Sequence, residues 1–212
     1  MTISESIADV SAQPISGADV RTLGELNLLI SRAAPAVTGA RHAVLGEGRV
    51  GAAMAIVGEQ PGQREDQQRR PFVGAAGKVL DRALAEAGID RDDTYLTHAV
   101  KHFKAEDRGK RHQRPTAGEV RHYRWWLRLE LELVRPRIVV ALGPTAVLAI
   151  TGDPRSIGEF RGPAELDGHK GYIALHPAHV LQQTGRDDRH RAFEALVADL
   201  RSAHSLSGAR KG

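Results

Sequence analysis

Apolar residues occur along the chain in two alternating patterns, short continuous runs and longer stretches with helical spacing. The continuous runs are typical of buried strands, and there are four of them, at Met54–Val57, Thr94–Val100, Ile138–Leu142 and Gly171–Leu175. Helical spacing marks the other stretches, at 19–34, 74–88 and 116–134, in a short segment from Pro144, and around Phe193–Leu200. This alternation favours an α/β fold, a three-layer αβα arrangement with a central four-stranded, mostly parallel sheet.

Unusual segments follow three of the predicted strands. Gly58–Gly62 follows the first strand, a basic stretch begins at Lys101 after the second, and His176-Pro177 follows the fourth. The carboxyl ends of parallel strands lie at one edge of a sheet, where ligands of such folds bind. We therefore expect these three segments to form a single site.

Length and composition are those of one globular domain. Hydrophobic residues make up 41% and charged residues 26% of the 212 residues, so the chain can bury a core. The predicted domain spans 19–203, between a disordered N-terminus at 1–18 and a frayed tail at 204–212. No apolar run approaches the roughly 20 residues that span a bilayer, and residues 1–10 do not resemble a signal peptide. A cytoplasmic location is therefore expected.

Positive charge is concentrated in one part of the chain. Residues 101–128 contain nine Lys and Arg against three acidic residues, a net charge of +6, whereas the whole chain carries +4. A basic stripe of this kind neutralises nucleic-acid phosphates, although a solvated surface with ion pairs has the same composition. The chain has no cysteine, which excludes disulfides, cysteine nucleophiles and thiolate-bound metal centres. The histidines match no standard zinc spacing, so no metal site is expected.

Three groups of residues have the chemistry to contact a base or its sugar. In Gly58–Gly62, glycines allow a ligand close to the backbone, and the Gln60 amide can both donate to and accept from a base edge. Phe72 lies in a predicted loop and offers a ring on which a base can stack. His176, at a strand end, can donate to negative charge that develops on a substrate. Taken singly, each also fits an ordinary turn, a core aromatic or a structural histidine.

In combination, these segments resemble the family-four uracil-DNA glycosylases, and in particular their UdgX-type branch. The resemblance extends from Ala43 to Leu200 and rests on seven motifs in order. They are Gly58-Glu-Gln-Pro-Gly62, Pro71-Phe-Val-Gly74-Ala-Ala-Gly77, Leu80-Asp-Arg82, Thr97-His-Ala-Val-Lys-His-Phe103, Gly109-Lys-Arg-His112, Leu142-Gly143 and His176-Pro177. Gln60, Lys101-His-Phe103 and the loop that ends in His112 are the parts similar to the UdgX-type branch.

The resemblance implies a protein that acts on uracil-containing DNA, single- or double-stranded, and extrudes the uracil nucleotide into a pocket. Phe72 would stack on the uracil, Gln60 would line the pocket, and His98 would lie at the base edge. The residues implied to contact the DNA backbone are Lys101, Lys110, Arg111 and Arg114. One flipped nucleotide needs no second subunit, so a monomer is expected.

The resemblance also implies how the N-glycosidic bond is cleaved. His176 would stabilise the departing uracil anion, and Glu59 would line the pocket around the base and its sugar. His112 would attack C1′ of the sugar, which leaves a covalent protein–DNA bond. Water as the nucleophile would instead give a glycosylase that turns over.

Three features depart from the family. The cysteine ligands of its iron–sulfur cluster are absent from 31–37 and from position 123, so no cofactor is expected; Tyr123, with Trp125 or Trp126, should fill that volume. His98 replaces an asparagine that reads the uracil edge, which leaves base selectivity open. The basic loop is shorter than in related proteins, which leaves open whether His112 reaches the sugar.

Two further interpretations do not involve catalysis on uracil. Loss of the cluster and gain of His98 would also fit a module that binds damaged or single-stranded DNA without cleaving it. An unrelated nucleotide-binding α/β domain lacks support, because no glycine-rich phosphate fingerprint follows the first strand.

Overall fold

The structure of the chain, a computed structural model, describes residues 20–106, 111–153 and 161–208. The strands within these ranges are β1 (Glu47–Gly48), β2 (Met54–Gly58), β3 (Thr94–His98), β4 (Ala105–Glu106), β5 (Arg111–His112), β6 (Ile138–Leu142), β7 (Gly162–Leu166) and β8 (His169–Ala174). The helices are α1 (Leu23–Arg32), α2 (Gln63–Gln68), α3 (Ala75–Ala87), α4 (Ala117–Val134), α5 (Pro144–Thr151), α6 (Pro177–Gln182) and α7 (Arg186–Leu206), with one 3₁₀ turn at Arg91–Asp93.

The central sheet has six strands in the order β1-β3-β2-β6-β8-β7. Its four inner strands are parallel to one another and correspond to the four predicted strands. The edge strands β1 and β7 are antiparallel to their neighbours, so the sheet is mixed and wider than predicted. β7 and β8 form a hairpin through Asp167 and Gly168, both with positive φ, a geometry that favours Asp-Gly in two-residue turns.

Helices cover both faces of the sheet, which confirms the predicted three-layer αβα fold. On one face, Met54 and Ile56 of β2 belong to a cluster with buried residues of α3, α6 and α7. On the other face, Ala55 and Val57 pack with buried residues of α4 and α5. Strand side chains alternate between faces, so a strand buried on both sides appears in the sequence as a continuous apolar run. No helix of the described ranges is both long and apolar enough to span a bilayer.

The final helix is longer than the predicted domain allows. α7 continues to Leu206, past the predicted boundary at 203, because Ala203 is fully buried and Leu206 packs against the core. Helical residues 204–206 therefore belong to the domain rather than to a frayed tail. The predicted disordered segment 1–18 and residues 209–212 lie outside the described residues.

Lys101 lies in the protein interior, so its predicted contact with the DNA backbone is wrong. Its side chain is fully buried and forms an ion pair with Glu130 of α4, which is also fully buried. Lys101 Nζ donates to Thr97 Oγ1 (2.6 Å) and to the His98 carbonyl (3.0 Å) as well. The Tyr95 hydroxyl donates to Glu130 Oε1 at 2.8 Å. This network joins the end of β3 to α4 and leaves the ammonium group no access to phosphate.

Replacing Glu130 by glutamine should lower the unfolding free energy by about 3 kcal/mol or more, because the Lys101 charge would remain buried without its counter-charge. Urea unfolding monitored by circular dichroism measures this loss. Glu86→Gln is the matched control, since Glu86 forms an exposed pair with Arg82 (49% and 68% exposed). That control should change stability by less than about 0.5 kcal/mol. Equal losses in the two variants would contradict a special role for the buried pair.

Tyr123 belongs to α4, and its side chain fills the space between this helix and the segment that follows α1. The Ala36 N–H donates to its hydroxyl oxygen at 2.9 Å, and His102 Nδ1 lies 2.9 Å from the same atom. The Trp126 ring packs edge-on against the Tyr123 ring with centroids 5.5 Å apart, as the sequence predicted for one of the two tryptophans. Burial raises the pKa of Tyr123 to about 12. A thiolate-bound cluster does not fit here, because the chain supplies no cysteine and a hydrogen-bonded phenol fills the volume.

Burial of His102 predicts a loss of stability in acid. Burial lowers its pKa from 6.5 to about 4, so the folded protein binds a proton at this ring less readily than the unfolded chain. The stability contributed by neutral His102 is therefore complete above pH 6.5 and is lost as the pH falls towards 4. His102→Asn retains a polar partner for Tyr123 but does not titrate.

Between pH 7 and 4.5, the unfolding free energy of the native chain should fall by about 2 kcal/mol more than that of His102→Asn. Urea titrations at both pH values measure the difference, in which contributions of the other histidines cancel. Parallel losses in the two proteins would show that His102 does not control the acid response.

Candidate active site

A cavity of about 560 Å³ lies at the carboxyl ends of the parallel strands. Glu59 and Gln60 follow β2, Gly143 follows β6, and His176 follows β8, and all four line this cavity. His112 and Arg114 reach it from the basic segment. The predicted convergence of the three segments is thus confirmed. The volume is in the range of small-ligand pockets.

The turn after β2 is built around two carboxylates with different tasks. Glu65, buried at the start of α2, accepts hydrogen bonds from the Gly62 N–H (3.2 Å) and the Gly74 N–H (2.8 Å), and so ties the turn to the loop before α3. Glu59 is only partly buried and accepts a hydrogen bond from Thr145 Oγ1 at 2.7 Å. Glu59 therefore presents a carboxylate to the cavity in a fixed orientation.

Gln60 determines which nitrogen of His112 carries a lone pair. Its Oε1 accepts from the Lys104 N–H at 3.2 Å, and its Nε2 donates to the Gln113 carbonyl at 2.6 Å. These backbone partners fix the amide orientation, so the second Nε2 hydrogen points to His112 Nε2, which lies 2.8 Å away. His112 Nε2 is therefore the acceptor, and the proton of the neutral ring is on Nδ1.

His176 has the opposite tautomer. It caps the N-terminus of α6, and its Nδ1 accepts a hydrogen bond from the Ala178 N–H at 3.1 Å, which leaves the ring proton on Nε2. Burial lowers the pKa of His176, and repulsion by Arg114 lowers it further, against the opposing effect of Glu59. His176 is thus a neutral N–H donor at the cavity wall. Gly143, with φ 78°, lets the turn after β6 approach it closely.

Of the three predicted base-binding residues, Gln60 lines the cavity, whereas Phe72 and His98 do not. Their rings stack on each other, with centroids 4.6 Å apart and planes inclined by 22°. Both side chains are buried, at 2% and 3% exposure. His98 is the last residue of β3 and pairs in register with Gly58, directly before Glu59. The pair therefore lies next to the cavity but is closed off from it.

Of the four predicted DNA-backbone residues, Arg114 is exposed and lines the cavity. Arg111 lies in β5, which pairs with β4 and brings His112 opposite Ala105. Lys110 lies outside the described residues. Lys101 is buried, as described above. No group of three or more His, Asp or Glu side chains in the described ranges is arranged to hold a metal ion.

Three polar residues of the cavity wall were not predicted from the sequence: Thr145, Arg161 and His179. Thr145 orients Glu59, and its position directly after Leu142-Gly143-Pro144, at a strand end, was the available signal. Arg161 is anchored by two hydrogen bonds of 2.8 Å to the Asp199 carboxylate. His179 is exposed and contacts Gln183. Nothing local in the sequence distinguishes Arg161 or His179 from other surface residues.

Comparison with known proteins gives a consistent result. The family model of the uracil DNA glycosylase superfamily matches residues 45–201. The chain is 35% identical over 158 residues to a type-4 uracil-DNA glycosylase of Thermotoga maritima, which covers 73% of this chain and 80% of that protein. It is 34% identical over 152 residues to a type-4 uracil-DNA glycosylase of Pyrobaculum aerophilum, a match that covers 68% of this chain and 75% of that protein. A type-5 uracil-DNA glycosylase of the same organism is 34% identical over 179 residues, covering 76% and 75%.

The family match covers every element from β1 to most of α7, and the cavity lies within it. The chain therefore belongs to the uracil-DNA glycosylase superfamily.

Proposed function

We propose that this protein excises uracil from DNA and is captured by the abasic sugar through His112. The substrate is a uracil nucleotide extruded from single- or double-stranded DNA into the cavity. The protein acts as a monomer, in the cytoplasm, without a cofactor. Family membership and the type-4 relatives support the glycosylase activity. The covalent step is supported by the geometry of His112.

The observation that carries the proposal is the pair of histidines with opposite tautomers in one cavity. His112 has its lone pair on Nε2, oriented by Gln60, and His176 has its proton on Nε2. An attacking group needs a lone pair, whereas a group that stabilises a departing anion needs a proton to donate. The two rings therefore meet the two opposite requirements of one substitution at C1′.

Cleavage of the N-glycosidic bond develops positive charge on the sugar and negative charge on the base. Glu59 is the carboxylate at the cavity wall, and it stabilises the sugar cation. His176 donates its Nε2–H to the uracil oxygen on which negative charge accumulates. Removing one such donor in other enzymes lowers the rate by about 10²–10³.

Capture of the sugar cation by His112 replaces the bond from C1′ to uracil by a bond from C1′ to the imidazole. The C1′–N1 bond breaks and uracil leaves with the electron pair. His112 Nε2 forms a bond to C1′, which makes the ring a cation until Nδ1 releases its proton. That proton neutralises the uracil anion through solvent. The N-alkyl imidazole that remains has no good leaving group, so the adduct persists and each protein reacts once.

His112 must leave Gln60 before it attacks. The hydrogen bond from Gln60 occupies the same lone pair that forms the new bond, so it orients His112 in the free protein and breaks as the sugar arrives. His112 is exposed and lies at the end of the two-residue strand β5, which pairs with β4. Arg114 contacts a flanking phosphate, together with Lys110 and Arg111 of the same basic segment.

A glycosylase with water as nucleophile is the second candidate. Glu59 favours it, because a fixed carboxylate in the cavity can orient a water molecule and accept its proton. The type-4 relatives carry the name of glycosylase without reference to capture. The two candidates differ in product: a protein-bound sugar in one case and a free abasic site in the other.

His112→Ala should abolish covalent capture. Purified protein is incubated with a labelled single-stranded oligonucleotide that contains one uracil, and products are separated on a denaturing gel before and after hot alkali. The native chain should give a heat-stable band of protein–DNA size, and His112→Ala should give none. His122→Ala is the matched control, an exposed histidine of the same basic segment on α4 that does not line the cavity.

Three outcomes separate the candidates. Loss of the band with alkali-labile product in His112→Ala supports capture after excision. Alkali-labile product from the native chain over many turnovers, without a band, would support water as the nucleophile and contradict capture. Neither product at any protein excess would contradict excision itself.

A further inference from the structure

His98 and Phe72 form an unusual contact for two residues beside a base-binding cavity. The family resemblance implies that the base stacks on Phe72, which needs an open aromatic face, and in this chain Phe72 stacks on His98, the last residue of β3. In the structure Phe72 is 2% exposed, and the imidazole of His98 covers one of its faces. The rest of Phe72 belongs to the apolar cluster under α3. No face of this ring is available to a ligand.

Phe72 cannot readily move to open a face. Its φ of 54° is in the left-handed region, which is rare for a bulky side chain and is imposed by the tight loop before α3. The backbone of Phe72 lies against Gly77, where a Cβ would approach the Phe72 carbonyl oxygen to 1.9 Å. The tip of the ring lies against Gly58, where a Cβ would approach Cζ to 2.6 Å. The loop, α3 and β2 together fix the aromatic ring in place.

The hydrogen-bonding capacity of the His98 side chain, by contrast, is not fully used. Its Nδ1 is buried and has no hydrogen-bond partner within the described ranges, a situation that costs free energy for any polar atom. Burial lowers the pKa of His98 well below 6.5, and Lys101 and His176 lower it further, so the ring is neutral. A phenylalanine would stack equally well without an unpaired nitrogen. Packing alone therefore does not explain a histidine at this position.

We infer that the imidazole of His98 occupies the base-binding subsite in the free protein. It stacks on Phe72 in the place of the extruded base and rotates away when the base enters, and in this sense His98 is a plug. This inference rests on the proposed function, because it assigns the subsite to the uracil. His98 is close to the cavity, since its partner in the sheet, Gly58, is followed directly by Glu59. Rotation about χ1 is all that is needed to move the imidazole, although its ring, like that of Phe72, packs against Gly58, where a Cβ would approach His98 Cδ2 to 3.0 Å. In the open position the imidazole nitrogens gain partners in the base, its sugar or water.

If His98 occupies the subsite, its removal should change the affinity of the protein for a uracil-containing strand. Base entry must replace one stacked ring by another, so much of the favourable stacking of uracil on Phe72 is offset by loss of the His98 stack. Removing the imidazole should therefore tighten binding of a uracil-containing strand by about tenfold or more, given the usual strength of base–aromatic stacking. A residue that reads the base through its nitrogens would have the opposite effect, since its removal weakens binding.

The test compares the native chain with His98→Ala, His98→Ser and His98→Phe. The probe is a fluorescent single-stranded oligonucleotide with one 2′-fluoro-2′-deoxyuridine, whose electron-withdrawing fluorine slows cleavage, and anisotropy gives the Kd. The same strand with thymidine measures binding that does not depend on uracil. Thermal melting confirms that each variant folds, and His98→Ser serves if His98→Ala does not.

His98→Ala and His98→Ser should bind the uracil strand about tenfold more tightly than the native chain, with no change for thymidine. His98→Phe keeps a ring on Phe72 and should bind no more tightly than the native chain. Unchanged or weaker uracil binding by both His98→Ala and His98→Ser would overturn the plug. In the hot-alkali assay, an inactive native chain beside an active His98→Ala would support the plug and contradict excision by the native chain. Equal affinity of all four proteins for the two strands would contradict both proposals.

Discussion

The buried ion pair between Lys101 and Glu130 is the interaction on which the geometry of the site depends. It ties the carboxyl end of β3 to the C-terminal half of α4, at the point where the chain leaves the sheet and enters the basic segment. Lys101 also donates to the carbonyl of His98, so it fixes the backbone from which the His98 side chain projects. The hairpin that carries His112 begins a few residues later. A charge pair that is costly to bury thus determines the backbone positions from which the side chains of His98 and His112 project.

The chemistry of the cavity follows from neutral histidines with assigned tautomers. Backbone groups make the assignment in each case: Lys104 and Gln113 orient Gln60, which orients His112, and the start of α6 orients His176. The superfamily scaffold here is stabilised by the Tyr123 hydroxyl and its neighbours in the region where the resemblance places cysteine ligands.

The sequence predicts the four inner strands well, because strands buried on both faces are continuous apolar runs. The short β1 and the polar, proline-containing β7 lack that signal, although Asp167-Gly168 marks the β7–β8 turn. The convergence of Glu59, His112 and His176 is predictable because parallel topology brings strand ends together. The burial of Lys101 is not, since its partner lies 29 residues away and charge composition says nothing about depth. The stack of His98 on Phe72 joins a strand end to a distant loop, and no local pattern encodes it.

The intact mass of the protein after incubation with a uracil-containing oligonucleotide tests the central claim most directly. Capture through His112 predicts a species whose mass is that of the protein plus the oligonucleotide less one uracil, and proteolysis should locate the modification on His112. An unmodified protein beside an oligonucleotide that has lost its uracil would contradict capture and leave a hydrolytic glycosylase. An adduct on any other residue would contradict the role assigned to His112.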